Sequence, residues 1–201
     1  GLLGVAGHGG FARWEGTSAH PRTPPRLAAN PPFVALNAAT MVIYAGLAMM
    51  FFLLPFDLVD RRGLSSTMAG LGFLPFTLSV GLLASFCGRL ADRIGVRTML
   101  ILGQLGATLS YLWLALAQGR SLAAGVLAPI MLLGISFAML IAPLTASVMS
   151  SVADSDEGLA SGINNATSRV AQLAGVALAA GLGSTASGYR LGLAAAAALS
   201  I

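Results

Sequence analysis

The chain has 201 residues, of which 56% are hydrophobic and 9% charged, with a formal net charge of +4 and a mean hydropathy of +0.83. A surface in water normally needs about a quarter of its residues charged, so the medium around this chain is lipid. The small, scattered net charge, without a basic stripe, excludes a nucleic-acid partner, and a single cysteine, Cys87, excludes an intrachain disulfide or a thiolate metal site.

A helix crosses the hydrocarbon core in about 20 apolar residues. Residues 1–32 are read as the end of a preceding helix, "GLLGVAGHGG", followed by an extended cytoplasmic linker, "FARWEGTSAHPRTPPRLAANPP", rich in Pro and Arg and carrying His20. Residues 33–201 are read as a transmembrane helix bundle. Its uncharged intervals predict spans at 33–54, 68–87, 98–117 and 122–149, then 159–183, interrupted only by Arg169, and an incomplete sixth at 191–201. The joining segments, "PFDLVDRRGLSS", "GRLADRIGVR", "QGRS", "SSVADSDE" and "STASGYR", are short, so successive spans run antiparallel. Strand-like alternation is absent, which excludes a barrel. The chain does not begin with Met and stops inside the apolar "LGLAAAAALSI", so it is read as a fragment cut at both ends.

Arg13, Arg22, Arg26, Arg89, Arg93 and Arg97 fall on one side of the predicted membrane, and Arg61, Arg62, Arg120 and Arg190 on the other. This bias places the linker and "GRLADRIGVR" in the cytoplasm.

Polar groups in lipid need partners, so those inside the spans are the informative ones. Asn37, Met41 and Tyr44 share one helix face, where Asn37 and Tyr44 either line a cavity or sit near an interface. Met49, Met50, Phe51 and Phe52 form a soft cluster suited to lipid contact or to apolar ligands. Pro75, Pro129 and Pro143 lie within apolar runs and predict kinks. In 159–183, Ser161, Asn165, Ser168, Gln172, Gly175, Ala179 and Gly183 make one stripe. It is either a helix-packing ridge, most plainly at Gly175-x-x-x-Ala179-x-x-x-Gly183, or, with Arg169 at its margin, a cavity wall of Asn165, Arg169 and Gln172. Arg169 is placed about six residues, or about 9 Å, inside the membrane boundary, where it either serves the cavity or snorkels. None of the predicted spans contains a carboxylate.

"GRLADRIGVR", residues 88–97, is read as a tight hairpin. In it Gly88 permits close helix approach, Gly95 takes a positive φ, and Asp92 accepts at a helix start. The segment resembles the G-x-L-a-D-r-x-G-r-[RK] loop of the major facilitator superfamily at its second occurrence. Gly88, Leu90, Ala91, Asp92, Arg93, Gly95 and Arg97 match, and Val96 departs where a basic residue is common. "SSTMAGLGFLPFTLSVGLLASFCGRLADR", "LLGISFAMLIAPLTASVMSSV" and "EGLASGINNATSRVAQLAGVALA" are similar to spans of its fourteen-helix drug/proton antiporters.

The resemblance implies an all-α membrane protein, here a six-helix, partly truncated half of the superfamily's bundle. It implies that Gly88, Arg89, Asp92, Arg93, Gly95 and Arg97 form a conformational-switch loop whose charge contacts break and reform. It also implies a proton-coupled antiporter that exports small amphipathic compounds from a bacterial inner membrane. The partners would be the lipid bilayer, a small-molecule substrate, protons and the missing N-terminal half, which would hold the proton-carrying carboxylates. Transport of a specific metabolite and a non-transporting helical scaffold are the alternatives. Metalloprotease, nucleophile-elbow, Walker A and dinucleotide-binding signatures are absent, so neither enzyme nor cofactor nor metal chemistry is expected.

Overall fold

The computed structural model describes residues 25–117, 119–183 and 185–200, and every regular element among them is helical. The expectations for "GLLGVAGHGG" and for most of the linker, with Arg13, His20 and Arg22, fall outside the described residues.

Helix α1 (Pro25–Ala28) is a single turn. Helix α2 (Pro31–Phe56) starts at Asn30, whose side-chain oxygen accepts the Phe33 N–H at 3.3 Å. Pro31 and Pro32 stand in its first turn, where a missing N–H removes no helical bond. Pro55 has no N–H for the carbonyl one turn back, and the next turn, Asp57–Arg61, widens to π-helical geometry. It is closed by the Arg62 N–H on the Asp57 carbonyl at 3.0 Å.

Helix α3 (Ser66–Leu71), capped by Ser65, breaks at Gly72–Phe73 and resumes as α4 (Leu74–Ile94). Helix α5 (Val96–Leu116) follows, then a π-helical turn, Ala123–Leu127, that runs into α6 (Ala128–Ser150). A 3-10 turn at Asp154–Asp156 opens α7 (Glu157–Leu182), and Thr185 caps α8 (Ala186–Leu199).

The helices overrun the charge-free intervals from which they were predicted. The first continues to Arg61, the second runs from Ser66 to Ile94 apart from its break, and the last begins at Ala186. Charge marks where a helix leaves lipid; what stops the helix is a cap, a glycine or a proline. Residues 31–61, 66–94, 96–116 and 123–150 are long and apolar enough to cross a membrane. Helix α7 has the length but carries Asn164, Asn165, Arg169 and Gln172. Pro75 stands in the first turn of α4, Pro129 stands just after the π-helical turn that opens the rod 123–150, and Pro143 lies within α6.

Helices α2, α5, α6 and α8 surround the main core, built on Leu53, Leu54, Tyr111, Leu133, Phe137 and Leu193. Helix α4 leans on α6, and α7 rests on α2, so each leaves a long face uncovered. Met49 and Met50 are buried in this core, against the expectation of lipid or ligand contact, because the packing of α2 against its neighbours covers both of them.

Polar side chains cross the seams: Ser110 Oγ donates to the Pro129 carbonyl at 2.6 Å, and Thr108 Oγ1 to the Ser200 carbonyl at 3.1 Å. Tyr111 has no such outlet, because its hydroxyl is buried without a hydrogen-bond partner among the described residues. Tyr111→Phe removes this stranded group and is expected to raise stability by about 1 kcal/mol, read as a higher unfolding temperature in detergent. A lower one would mean that the hydroxyl has a partner.

Candidate functional site

Three features carry chemistry: the turn around Gly95, the seam between α2 and α7, and a charge cluster after Pro55.

The turn is tighter than a ten-residue hairpin. Gly88–Ile94 belong to α4, α5 begins at Val96, and Gly95 alone reverses the chain at φ 89°, ψ 141°. That positive φ is open to glycine and strained for other residues. Gly88 makes no close approach, since a Cβ there would meet open space. Asp92 stands in the last turn of α4 and not at a helix start, because the helix continues past it to Ile94. At that end the helix dipole favours cations over a carboxylate. Arg89, Asp92, Arg93 and Arg97 are all exposed and make no ion pair or hydrogen bond among the described residues. Cys87 and Ala91, on the opposite face of α4, are the ones buried.

Helices α2 and α7 run parallel, with contacts that pair Asn37 with Asn164 and Ala45 with Gly175. Near their starts Asn164 Nδ2 donates to Thr40 Oγ1 at 2.8 Å and to Asn37 Oδ1 at 3.3 Å, while Asn37 Nδ2 donates to the Phe33 carbonyl at 2.9 Å. Asn37 is therefore buried helix-packing glue and does not line a cavity, contrary to the sequence expectation. The i, i+3 pair Asn37–Thr40 was the available signal. Asn164 was missed because the predicted stripe ran through its neighbour.

The stripe on α7 divides in the same way. Its packed face is Ala160, Ala171, Gly175 and Ala179, with Asn164 beside it, and a Cβ on Gly175 would strike the Ala45 backbone. Gly183, expected in the ridge, is instead the C-cap at φ 76°. One residue round the helix, Ser161, Asn165, Arg169 and Gln172 are exposed. Arg169 and Gln172 line an open cleft of about 800 Å³ against Leu47, Phe51 and Phe52 of α2. Asn165 Oδ1 accepts from Arg169 Nε at 3.3 Å. Tyr44 is half-buried against the core and is not on the cleft wall.

Arg169 stands near the middle of α7, because the helix starts at Glu157. It is the thirteenth of 26 residues, about 19 Å of rise from either end. The aromatic side of the cleft is braced: Phe51 stacks on Phe73 with centroids 5.0 Å apart and meets Phe76 edge-on at 5.3 Å.

The third feature corrects the statement that the spans hold no carboxylate. Asp57 is buried on the continuous rod 31–61, 3% exposed. It accepts from Arg61 Nη1 at 2.7 Å and from Arg62 Nε at 2.8 Å. Arg62 Nη1 also donates to the Arg120 carbonyl at 3.0 Å, and the Arg61 guanidinium lies 5.6 Å from the Tyr189 ring centre. The ends of three helices are thus held together.

At the opposite end the linker is not extended where it is described. Leu27 is buried with Phe33, Val148 and Ala160, Arg26 pairs with Asp156 at 2.7 Å, and Asn30 Nδ2 donates to the Ser151 carbonyl at 2.7 Å. Apolar contact with the α6–α7 turn outweighs the extended bias of its prolines.

No group of three or more His, Cys, Asp or Glu residues suited to a metal occurs among the described residues. The sequence profile of the Major Facilitator Superfamily matches residues 36–201. The lincomycin resistance protein of Streptomyces lincolnensis is 32% identical over 174 residues, covering 86% of this chain and 36% of the relative. The multidrug resistance protein Stp of Mycobacterium tuberculosis is 32% identical over 146 residues, 72% of this chain and 27% of the relative. The cephamycin export protein CmcT of Amycolatopsis lactamdurans is 31% identical over 165 residues, 80% and 34% respectively. The chain spans about a third of the length of these curated relatives.

Proposed function

Since this chain belongs to the Major Facilitator Superfamily, a family of multi-pass membrane transporters rather than enzymes, we propose that it is the C-terminal half of a proton-coupled efflux antiporter. It exports small amphipathic compounds or drugs across a bacterial inner membrane by alternating access. The observation that carries this reading is the cleft between α2 and α7, aromatic on one wall and with Arg169 at mid-helix on the other. A guanidinium at that depth is costly unless it faces water, a counter-ion or a ligand. The uncovered faces of α4 and α7 are where a second, related half of the protein would sit, with the substrate between the halves. The relatives' names, which speak of lincomycin resistance, multidrug resistance and cephamycin export, favour drug export over transport of a metabolite or a scaffold role.

In this reading Gly88, Arg89, Asp92, Arg93, Gly95 and Arg97 form the switch. Asp92 and the three arginines are exposed and unpaired within the described chain, so their partners lie in the other half and are engaged in one of the two states. Gly95 is the pivot. Asp92→Ala in the complete transporter, reconstituted in vesicles with an imposed pH gradient, is expected to slow drug flux about tenfold or more, the equivalent of one lost charge contact. Its unfolding temperature should not fall, because Asp92 makes no ion pair or hydrogen bond among the described residues and sits where the helix dipole disfavours a carboxylate. Unchanged flux would remove the switch, and flux indifferent to the pH gradient would remove the proton coupling.

A further inference from the structure

Resting on that reading, we propose that the α2–α7 cleft selects amphipathic molecules that carry an anionic group, a carboxylate above all, over cationic ones of the same body. The charge on the wall is Arg169. Its Nε is used by Asn165 at 3.3 Å, and its two terminal amino groups make no hydrogen bond among the described residues. Those two groups form the planar fork that fits a carboxylate with two parallel bonds. Gln172, the next polar residue on this wall, adds an amide beside it. The rest of the lining is apolar, with Phe51 and Phe52 to take a ring.

Nothing described within the cleft compensates the guanidinium. The described carboxylates belong to Asp57, Asp60, Asp92, Asp154, Asp156 and Glu157, all at or near helix ends, and Asp57 and Asp156 are already paired with arginines. About 19 Å of helix separates Arg169 from either end of α7, so its guanidinium stays beside the cleft and reaches neither helix end. A cleft of about 800 Å³ takes a drug-sized ligand. A bound anion would replace the water that the guanidinium otherwise needs, whereas a cation would be repelled across the same apolar gap.

The test uses the complete transporter and three probes that share a naphthyl body: 2-naphthylacetate, 2-naphthylacetamide and 2-naphthylethylammonium. Equilibrium binding in nanodiscs and efflux from vesicles are both measured. The acetate is expected to bind about tenfold or more tightly than the amide, with the ammonium weakest. Arg169→Gln should weaken acetate binding far more than amide binding and so abolish the preference for the acetate. Arg169→Lys, which keeps the charge but loses the fork, should retain part of the preference.

Equal weakening of all three probes by Arg169→Gln would make Arg169 structural and overturn the proposal. So would ammonium binding as tightly as acetate in the unmodified protein, a result that needs no variant to fold. Selective acetate binding without efflux of any probe would sink the export reading and leave the charge selectivity standing. Efflux of all three without acetate preference would do the reverse.

Discussion

Asp57→Ala is expected to lower the stability of the bundle by about 3 kcal/mol, measured as denaturant or thermal unfolding in detergent. The carboxylate is 3% exposed, and its loss removes the anion that balances two guanidinium groups whose side chains are only 27% and 18% exposed. Partial exposure of the arginines keeps the figure at the low end of the range for broken buried pairs. The effect should spread, since Arg62 also holds the Arg120 carbonyl and Arg61 faces the Tyr189 ring. Replacing the whole cluster, Asp57→Leu with Arg61→Met and Arg62→Met, is expected to recover most of the loss, because packed apolar groups of similar volume carry no desolvation cost. A loss below about 1 kcal/mol for Asp57→Ala would mean that the cluster behaves like an ordinary surface pair.

Gly175→Val is expected to cost about 3 kcal/mol and to separate α7 from α2. Even a methyl group at Gly175 would meet the Ala45 carbonyl and Cα, which are backbone atoms and cannot rotate away. Gly162 lies on the same helix with nothing within 4 Å of an added Cβ, so Gly162→Ala should instead stabilise by about 1 kcal/mol through helix propensity. Unfolding midpoints of the two variants moving the same way would refute the close contact. The seam also supports the candidate site: Asn164, Ala171, Gly175 and Ala179 fix the rotation of α7, and that rotation turns Arg169 and Gln172 towards the cleft.

Much of the fold was legible in the sequence. Low charge density means lipid, and lipid demands helices that satisfy their own backbone, so uncharged runs of about twenty residues could only be helical. The turn glycine was legible too, because only the chain's local geometry is involved. Helix ends were not, since Pro55, Gly72 and the overrun to Ile94 depend on caps and breaks that charge counting ignores. Asp57 was assigned to a loop for that reason, although its i, i+4 spacing to Arg61 was a visible sign that the helix continued. Asn37 and Tyr44 were placed by the periodicity of a single helix, and Met49 and Met50 by adjacency in the chain, and neither says which neighbour covers a face.

By itself the sequence determined the all-α membrane class, the order of the helices, the Gly95 reversal and the presence of a polar, arginine-bearing helix. These follow from the cost of burying charge and backbone in lipid and from the φ that glycine alone takes freely, so each residue carries the information with it. The tertiary structure decided which polar residues are glue and which face open space. Asn37 went into the α2–α7 seam, and Arg169, at the midpoint of α7, went to the cleft. That division turns on about 100° of helix rotation per residue, set where Gly175 meets Ala45, a contact between residues far apart in the chain.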